Sequence, residues 1–247
     1  MRSAGFTLIE LVITMVVLAI LALGITSYIG LGARMYTDAA EREQVLGQSR
    51  FVAERMVREL RNAVPNSVVF SSTSNCLQFR PILYSGIYTA APFEQNGTSM
   101  TVISPDLRAV SPRTYAAASR PQLMVYPTSA ANSGGSVPLN SISTVDSATA
   151  RFTLNFANFR FTRQSPEQRF YIADAIVQYC LVGAGSGRFN IMRNNVLMAE
   201  GLRESQLFRV TDAVLTRNSV VNIFLQFGYG GNADMFFNYE VHIPNVP

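Results

Sequence analysis

The sequence predicts an α+β protein: one long N-terminal helix followed by a body of mainly antiparallel β-strands. Three observations predict it. Residues 11–33 carry no charged side chain. No proline occurs before Pro65, so nothing over residues 6–64 forces a helix to break. Beyond Pro65 the apolar residues alternate in short runs between turn residues, the pattern of strands rather than helices.

The helix comes first. Its uncharged run, Leu11–Ala33, is 23 residues long, and about 20 suffice to cross a bilayer core roughly 30 Å thick. A secretory signal peptide carries a shorter apolar run of about 7–15 residues. The small residues of Gly30–Ala33 leave conventional cleavage open as an alternative. Glu10 stands at the head of the run, with Arg2 the only charge before it. An ionised carboxylate inside the bilayer costs about 2.5–3.5 kcal/mol on insertion scales, so its presence calls for a function. A plain anchor leaves Glu10 unexplained.

From Arg34 the pattern becomes amphipathic. Val45, Val52, Met56, Leu60 and Val64 recur at threes and fours and form one apolar stripe. The opposite face holds Asp38–Arg42, Arg50–Glu54, Glu54–Arg58 and Arg55–Glu59 at i,i+4 spacing, which reads as a solvated face with supporting ion pairs. Gly24, Gly30, Gly32 and Gly47 each weaken the helix by about 1 kcal/mol relative to Ala without ending it. A single helix is expected from Phe6 to about Ala63. Its first half suits lipid and its second half suits a folded partner.

After Pro65 the expected strands are Ser67–Ser71, Cys76–Leu83, Met100–Ser104, Gln122–Pro127, Arg151–Phe161, Tyr171–Val182 and Arg188–Arg193. Gly183–Gly187 joins the last two as a hairpin link. At the end of the chain, Val221, Ile223, Leu225 and Phe227 alternate, Gly228–Asp234 turns, and Phe237, Tyr239, Val241 and Ile243 alternate back. The polar, small-residue stretch Thr128–Ala150 reads as a mobile loop.

Composition bounds the function. The net charge of +4 is small, and all 20 basic residues are scattered arginines. Nucleic-acid binding wants a one-signed patch, which this is not. Cys76 and Cys180 lie far apart, and with one histidine in the chain they do not make a zinc site. If the body lies outside the cytoplasm, a Cys76–Cys180 disulfide is the natural reading, with two separately buried thiols as the alternative. Closing a loop of about 100 residues is worth about 4.7 kcal/mol in the chain-entropy description.

Gly183–Gly187 is followed by a strand, not the helix that a phosphate cradle needs, so it reads as a turn. His242 has no second histidine to pair with, and Asn96-Gly97-Thr98 reads as a turn before it reads as a glycosylation acceptor. No nucleophile–base set or carboxylate pair can be assembled, and no cofactor or metal is expected.

Gly5-Phe6-Thr7-Leu8-Ile9-Glu10, followed by the long apolar run, resembles the type IV prepilin signature over residues 5–30. The resemblance implies a pilin-like fold, in which one long helix packs on an antiparallel sheet. It implies that Met1–Gly5 is a leader and that a prepilin peptidase cuts between Gly5 and Phe6 and N-methylates Phe6. Glu10 then matches the family's assembly glutamate and offsets the Phe6 amine in a neighbouring subunit, or within its own chain one helical turn away.

The expected divisions are residues 1–5 as leader, 6–33 as transmembrane and assembly helix, 34–64 as its amphipathic continuation and 65–247 as a periplasmic globular body. The strand–turn–strand over Ala175–Arg193 is similar to one in large minor pilins and J-type pseudopilins. The ending Glu240–Pro247 is similar to minor pilins of the mannose-sensitive haemagglutinin pilus. The expected partners are the prepilin peptidase, the inner membrane and other pilins. The alternatives are a pseudopilin of a type II secretion system and a pilus-tip adhesin that uses Thr128–Ala150 or another surface.

Overall fold

The computed structural model describes residues 7–128, 135–203, 207–211, 219–227 and 235–244. One helix, α1, runs unbroken from Leu8 to Arg61, about 80 Å at 1.5 Å per residue. The four glycines within it meet nothing within 4 Å that would demand a glycine. It stops where the sequence requires. Pro65 cannot continue the ladder, the Asn62 and Ala63 amides close the last turn on the Glu59 and Leu60 carbonyls, and Asn66 takes φ +59°. The expected stripe is the buried one: Val52, Met56, Leu60 and Val64 are fully buried, and Val45 packs half-buried beside them.

Fifteen strands follow in the described residues. β1 (Val69–Ser71) and β2 (Cys76–Phe79) come first. Then come β3 (Ile82–Ala90), β4 (Gly97–Ile103), β5 (Arg113–Thr114), β6 (Gln122–Val125), β7 (Ser136–Asp146), β8 (Arg151–Phe159) and β9 (Arg169–Ala173). The last group is β10 (Val177–Gly185), β11 (Arg188–Arg193), β12 (Val196–Leu202), β13 (Phe208–Thr211), β14 (Ser219–Phe227) and β15 (Met235–Ile243).

They make two antiparallel sheets. The first has the order β1-β2-β10-β11-β12-β14-β13, with β15 on the other side of β14. Its inner face holds Leu77, Tyr179, Leu181, Ile191, Val221, Ile223 and Leu225 against the stripe of α1, and this is the larger core. At the far ends of the order Phe70 and Phe208 meet edge to face, 6.1 Å between ring centres, so the sheet curls around the helix. The helix-on-sheet architecture is the one the sequence predicts.

The second sheet closes on itself. β7 pairs β6, β6 pairs β9, β9 pairs β3, β3 pairs β4, β4 pairs β8, and β8 pairs β7 again, with β5 attached to β7. Six strands leave an interior that side chains fill: Val102, Leu123, Leu139, Phe152, Leu154 and Ile172 among others are fully buried there. Closure also removes free strand edges from the ring. A third, small cluster of Val64, Met124, Tyr171 and Ala173, with Ile82 beside it, seats this barrel on the end of α1. Asn62 donates its side-chain amide to the Ile82 carbonyl at 2.9 Å and accepts the Ile82 amide at its own carbonyl at 2.9 Å.

Three sequence expectations need correction. Cys76–Leu83 is not one strand: Pro81 ends β2's reach, and β3 belongs to the other sheet. Tyr171–Val182 is likewise split at Asp174–Ile176, with β9 in the barrel and β10 in the first sheet. Arg80-Pro81 and Asp174 interrupt the two runs at the boundaries, but strand-like residues resume directly after each, so periodicity alone does not register the change of sheet.

Thr128–Ala150 is not a loop over most of its described residues. β7 supplies a barrel stave from Ser136 to Asp146, with Val137, Leu139 and Ile142 buried. A register shift between Leu139 and Ser141 breaks its alternation, which hides the strand from a period-two search. The terminal hairpin forms, with all nine β14–β15 pairs in register; its turn, residues 228–234, lies outside the described residues.

The barrel depends on one bare backbone position. A Cβ on Gly86 would lie 2.4 Å from the Ile103 carbonyl oxygen and 2.9 Å from the Phe170 ring. Gly86→Ala is expected to destabilise the barrel by about 1–3 kcal/mol, the usual cost of overpacking. Denaturant unfolding of the purified chain checks it, and an unchanged midpoint would contradict the close approach.

Candidate assembly site on the N-terminal helix

The helix begins at a capping box. Thr7 is the N-cap, in extended conformation, and Glu10 is the third helical residue. The Thr7 hydroxyl and amide both donate to Glu10 Oε2, at 3.1 and 3.3 Å, and the Glu10 amide donates to Thr7 Oγ1 at 3.4 Å. Two amides that a helix start leaves unpaired are thereby satisfied, and the carboxylate is held over the first turn, where the positive end of the helix dipole favours it. The spacing Thr-x-x-Glu ahead of an apolar run was legible as this motif, and sequence reasoning passed over it. Gly5 and Phe6 lie outside the described residues.

Below the cap, the apolar side chains from Leu8 to Met35 stand exposed: Leu8 83 %, Leu23 72 %, Ile29 64 %. This helix is long and apolar enough to cross a membrane. The hydroxyls of Thr14 and Thr26 donate to the Leu11 and Ala22 carbonyls at 2.9 and 2.7 Å, which satisfies them within the helix itself. Glu10 remains the one acidic group at the head of a surface otherwise fit for hydrocarbon.

A second polar centre joins helix to sheet. Glu59 accepts Arg55 Nε at Oε1 (3.0 Å), and at Oε2 it accepts Arg193 Nε (3.0 Å) and the Tyr179 hydroxyl (2.9 Å). Burial works to raise the Glu59 pKa, but the hydrogen bonds from Arg55, Arg193 and Tyr179 outweigh it and hold the carboxyl below its usual 4.5. Burial, reinforced by the Glu59 carboxylate, pushes the Tyr179 hydroxyl upward. Local spacing shows Arg55–Glu59 only as a solvated i,i+4 pair. Tyr179 and Arg193 lie 120 and 134 residues further along, and no local pattern announces them.

The other residues singled out in the sequence take clear places. His242 is exposed on β15, its Nε2 2.7 Å from Glu240 Oε1. Gly183–Gly187 is the β10–β11 hairpin, with Gly185 and Gly187 at positive φ. Gly97 opens β4. Cys76 and Cys180 are bonded across β2 and β10, where they are direct register partners with Cα atoms 4.1 Å apart. Among the described residues no group of three or more His, Cys, Asp or Glu side chains could hold a metal ion.

Comparison with known proteins agrees with the head of the helix. The prokaryotic N-terminal methylation motif matches residues 1–26, and it marks type IV prepilin-like proteins, pilins and pseudopilins. That motif suggests a structural protein and implies processing by a prepilin peptidase and assembly with other pilins. No curated protein and no solved structure matches the chain.

The pH dependence of the Glu59 centre has a definite sign. Its folded pKa lies below the unfolded one, so its contribution is complete above pH 4.5 and disappears as the pH falls through the lower folded value. Glu59→Gln is expected to cost about 1.5–3 kcal/mol at neutral pH, the range for hydrogen bonds to a charged group. The gap between variant and parent should close in acid. Urea unfolding at several pH values checks both statements, and a pH-independent gap would contradict the assignment.

Proposed function

We propose that the chain is a minor pilin, a structural subunit that helps prime assembly of a type IV pilus of the mannose-sensitive haemagglutinin kind. In this reading residues 6–33 anchor it in the inner membrane, and the body beyond residue 64 stands in the periplasm. The observation that carries the reading is Glu10, a carboxylate at the head of an apolar helix surface that its own chain leaves exposed. Prepilin peptidase cuts between Gly5 and Phe6, and the new amine on Phe6, methylated and still cationic, becomes the partner that the carboxylate lacks in lipid.

Until subunits meet, Thr7 holds Glu10 Oε2 within one chain. When helices bundle, the ammonium of one subunit and the carboxylate of its neighbour offset each other's burial. The bond between Cys76 and Cys180 suits an oxidising compartment such as the periplasm. A pseudopilin role in type II secretion would use the same helix in the same way. The tip-adhesin reading gains one specific support: the closed barrel is seated on the end of α1 furthest from Glu10. Its binding surface would be the barrel, since residues 136–146 form a stave of it.

Two variants test the reading. Gly5→Leu should leave the precursor uncut, and N-terminal sequencing of the parent should begin at methylated Phe6. A mature form that starts elsewhere would sink the reading. Glu10→Leu should insert and fold normally, yet its recovery with sheared filaments should fall by on the order of 100-fold, the equivalent of about 2.5–3.5 kcal/mol for an unpaired charge in lipid. Parental incorporation of Glu10→Leu would refute the role of the carboxylate.

A further inference from the structure

The barrel enters and leaves the chain at one place. Ile82, its first residue, and Ala173, its last, are register partners. One step outside them the Asp174 amide donates to the Pro81 carbonyl at 2.9 Å. Beyond that the β2–β10 ladder runs from Phe79 opposite Val177 to Cys76 opposite Cys180. β2 and β10 are therefore the two sides of a stem whose turn is the whole barrel. The bonded cysteines are 104 residues apart in sequence, yet they lie only six residues before Ile82 and seven after Ala173.

The barrel is also self-sufficient in packing. Its core cluster includes no residue of α1 or of the first sheet. Its outward contacts among the described residues include the small cluster around Val64 and the hydrogen bonds made by Asn62 and Asn66, the latter to the Pro127 carbonyl at 2.9 Å.

We propose that the Cys76–Cys180 bond isolates the helix-bearing scaffold from its barrel. Two closures hold the same stem, the folded barrel and the bond. With the bond in place, the barrel opens without releasing the β2–β10 ladder. With the bond reduced, the barrel alone keeps the loop short. If it then opens, the ladder must close about 104 residues instead of about 13, and the closure entropy, scaling as the three-halves power of loop length, weakens the ladder about 20-fold. A subunit whose exposed head is pulled or clipped thus keeps the part that carries α1, as long as the bond is intact.

A double-mutant cycle on the full chain in detergent tests this, read by amide hydrogen exchange across β2 and β10. One arm opens the barrel with Leu154→Asp and Ile172→Asp, which place two charges in its core. The other removes the bond with Cys76→Ser and Cys180→Ser. Opening the barrel alone should change ladder protection less than about threefold, whereas both arms together should lower it about 20-fold. In the bond-free arm alone, the amides of β3, β4, β8 and β9 should keep parental protection.

A third chain guards against collapse of the charged variants. It lacks residues 82–173 and the two cysteines, with Pro81 joined to Asp174 through Asn-Gly, a two-residue hairpin turn. Its ladder should stay within about threefold of the parent. An equal loss of protection with and without the bond would overturn the isolating role. Parental protection in the combined variant, or a lost ladder in the excised chain, would overturn the closure argument.

Discussion

The structure depends on a helix that is covered along only part of its length. From Ser49 to Leu60 the stripe of α1 is taken up by the first sheet, and the curl that brings Phe70 to Phe208 completes the cover. From Leu8 to Met35 the described residues of the chain leave the same helix uncovered. Apolar surface removed from water contributes roughly 25 cal/mol per Å², so the uncovered length requires another apolar environment. Lipid and a bundle of like helices both meet that requirement. Under the proposed function Glu10 favours the bundle, where the Phe6 ammonium of a neighbouring subunit offsets its charge.

The body answers a different constraint. A sheet wrapped on one face of a helix keeps open edges, whereas the six-stranded ring has none. The chain uses each where it serves. The open sheet accepts a helix, and the closed ring meets the segment just after α1 at a small apolar seat around Val64. The Asn62–Ile82 pair of hydrogen bonds then fixes how ring and helix meet.

Legibility followed the range of the interactions. Helix α1 was readable because an uncharged run, an absent proline and a period of 3.6 all act locally. The terminal hairpin was readable because Val221–Phe227 and Phe237–Ile243 each place an apolar residue at every second position. The division of the body into two sheets was not, since Cys76–Leu83 and Tyr171–Val182 keep their strand character while passing from one sheet to the other. β7 was missed because its register shift places Leu139 and Ile142 three apart. At the site, Glu10 stood out by its charge in an apolar run, and the Thr7 cap was within reach of a simple spacing rule. Glu59 was named, but its partners come from strands over a hundred residues away, and pairing at that range is written in the fold.

The Glu59 centre has a rotational consequence. An apolar stripe against a sheet tolerates small rolls of the helix about its axis, because such contact has little direction. The two hydrogen bonds that Tyr179 and Arg193 on the sheet donate to the Glu59 carboxylate do not, and they fix the azimuth of α1 on the sheet. The helix is continuous down to Leu8. The compass bearing in which Glu10 leaves the axis is therefore set, 49 residues away, by the bearing of Glu59. The body and the tip of the anchor are phased like two keys on one shaft.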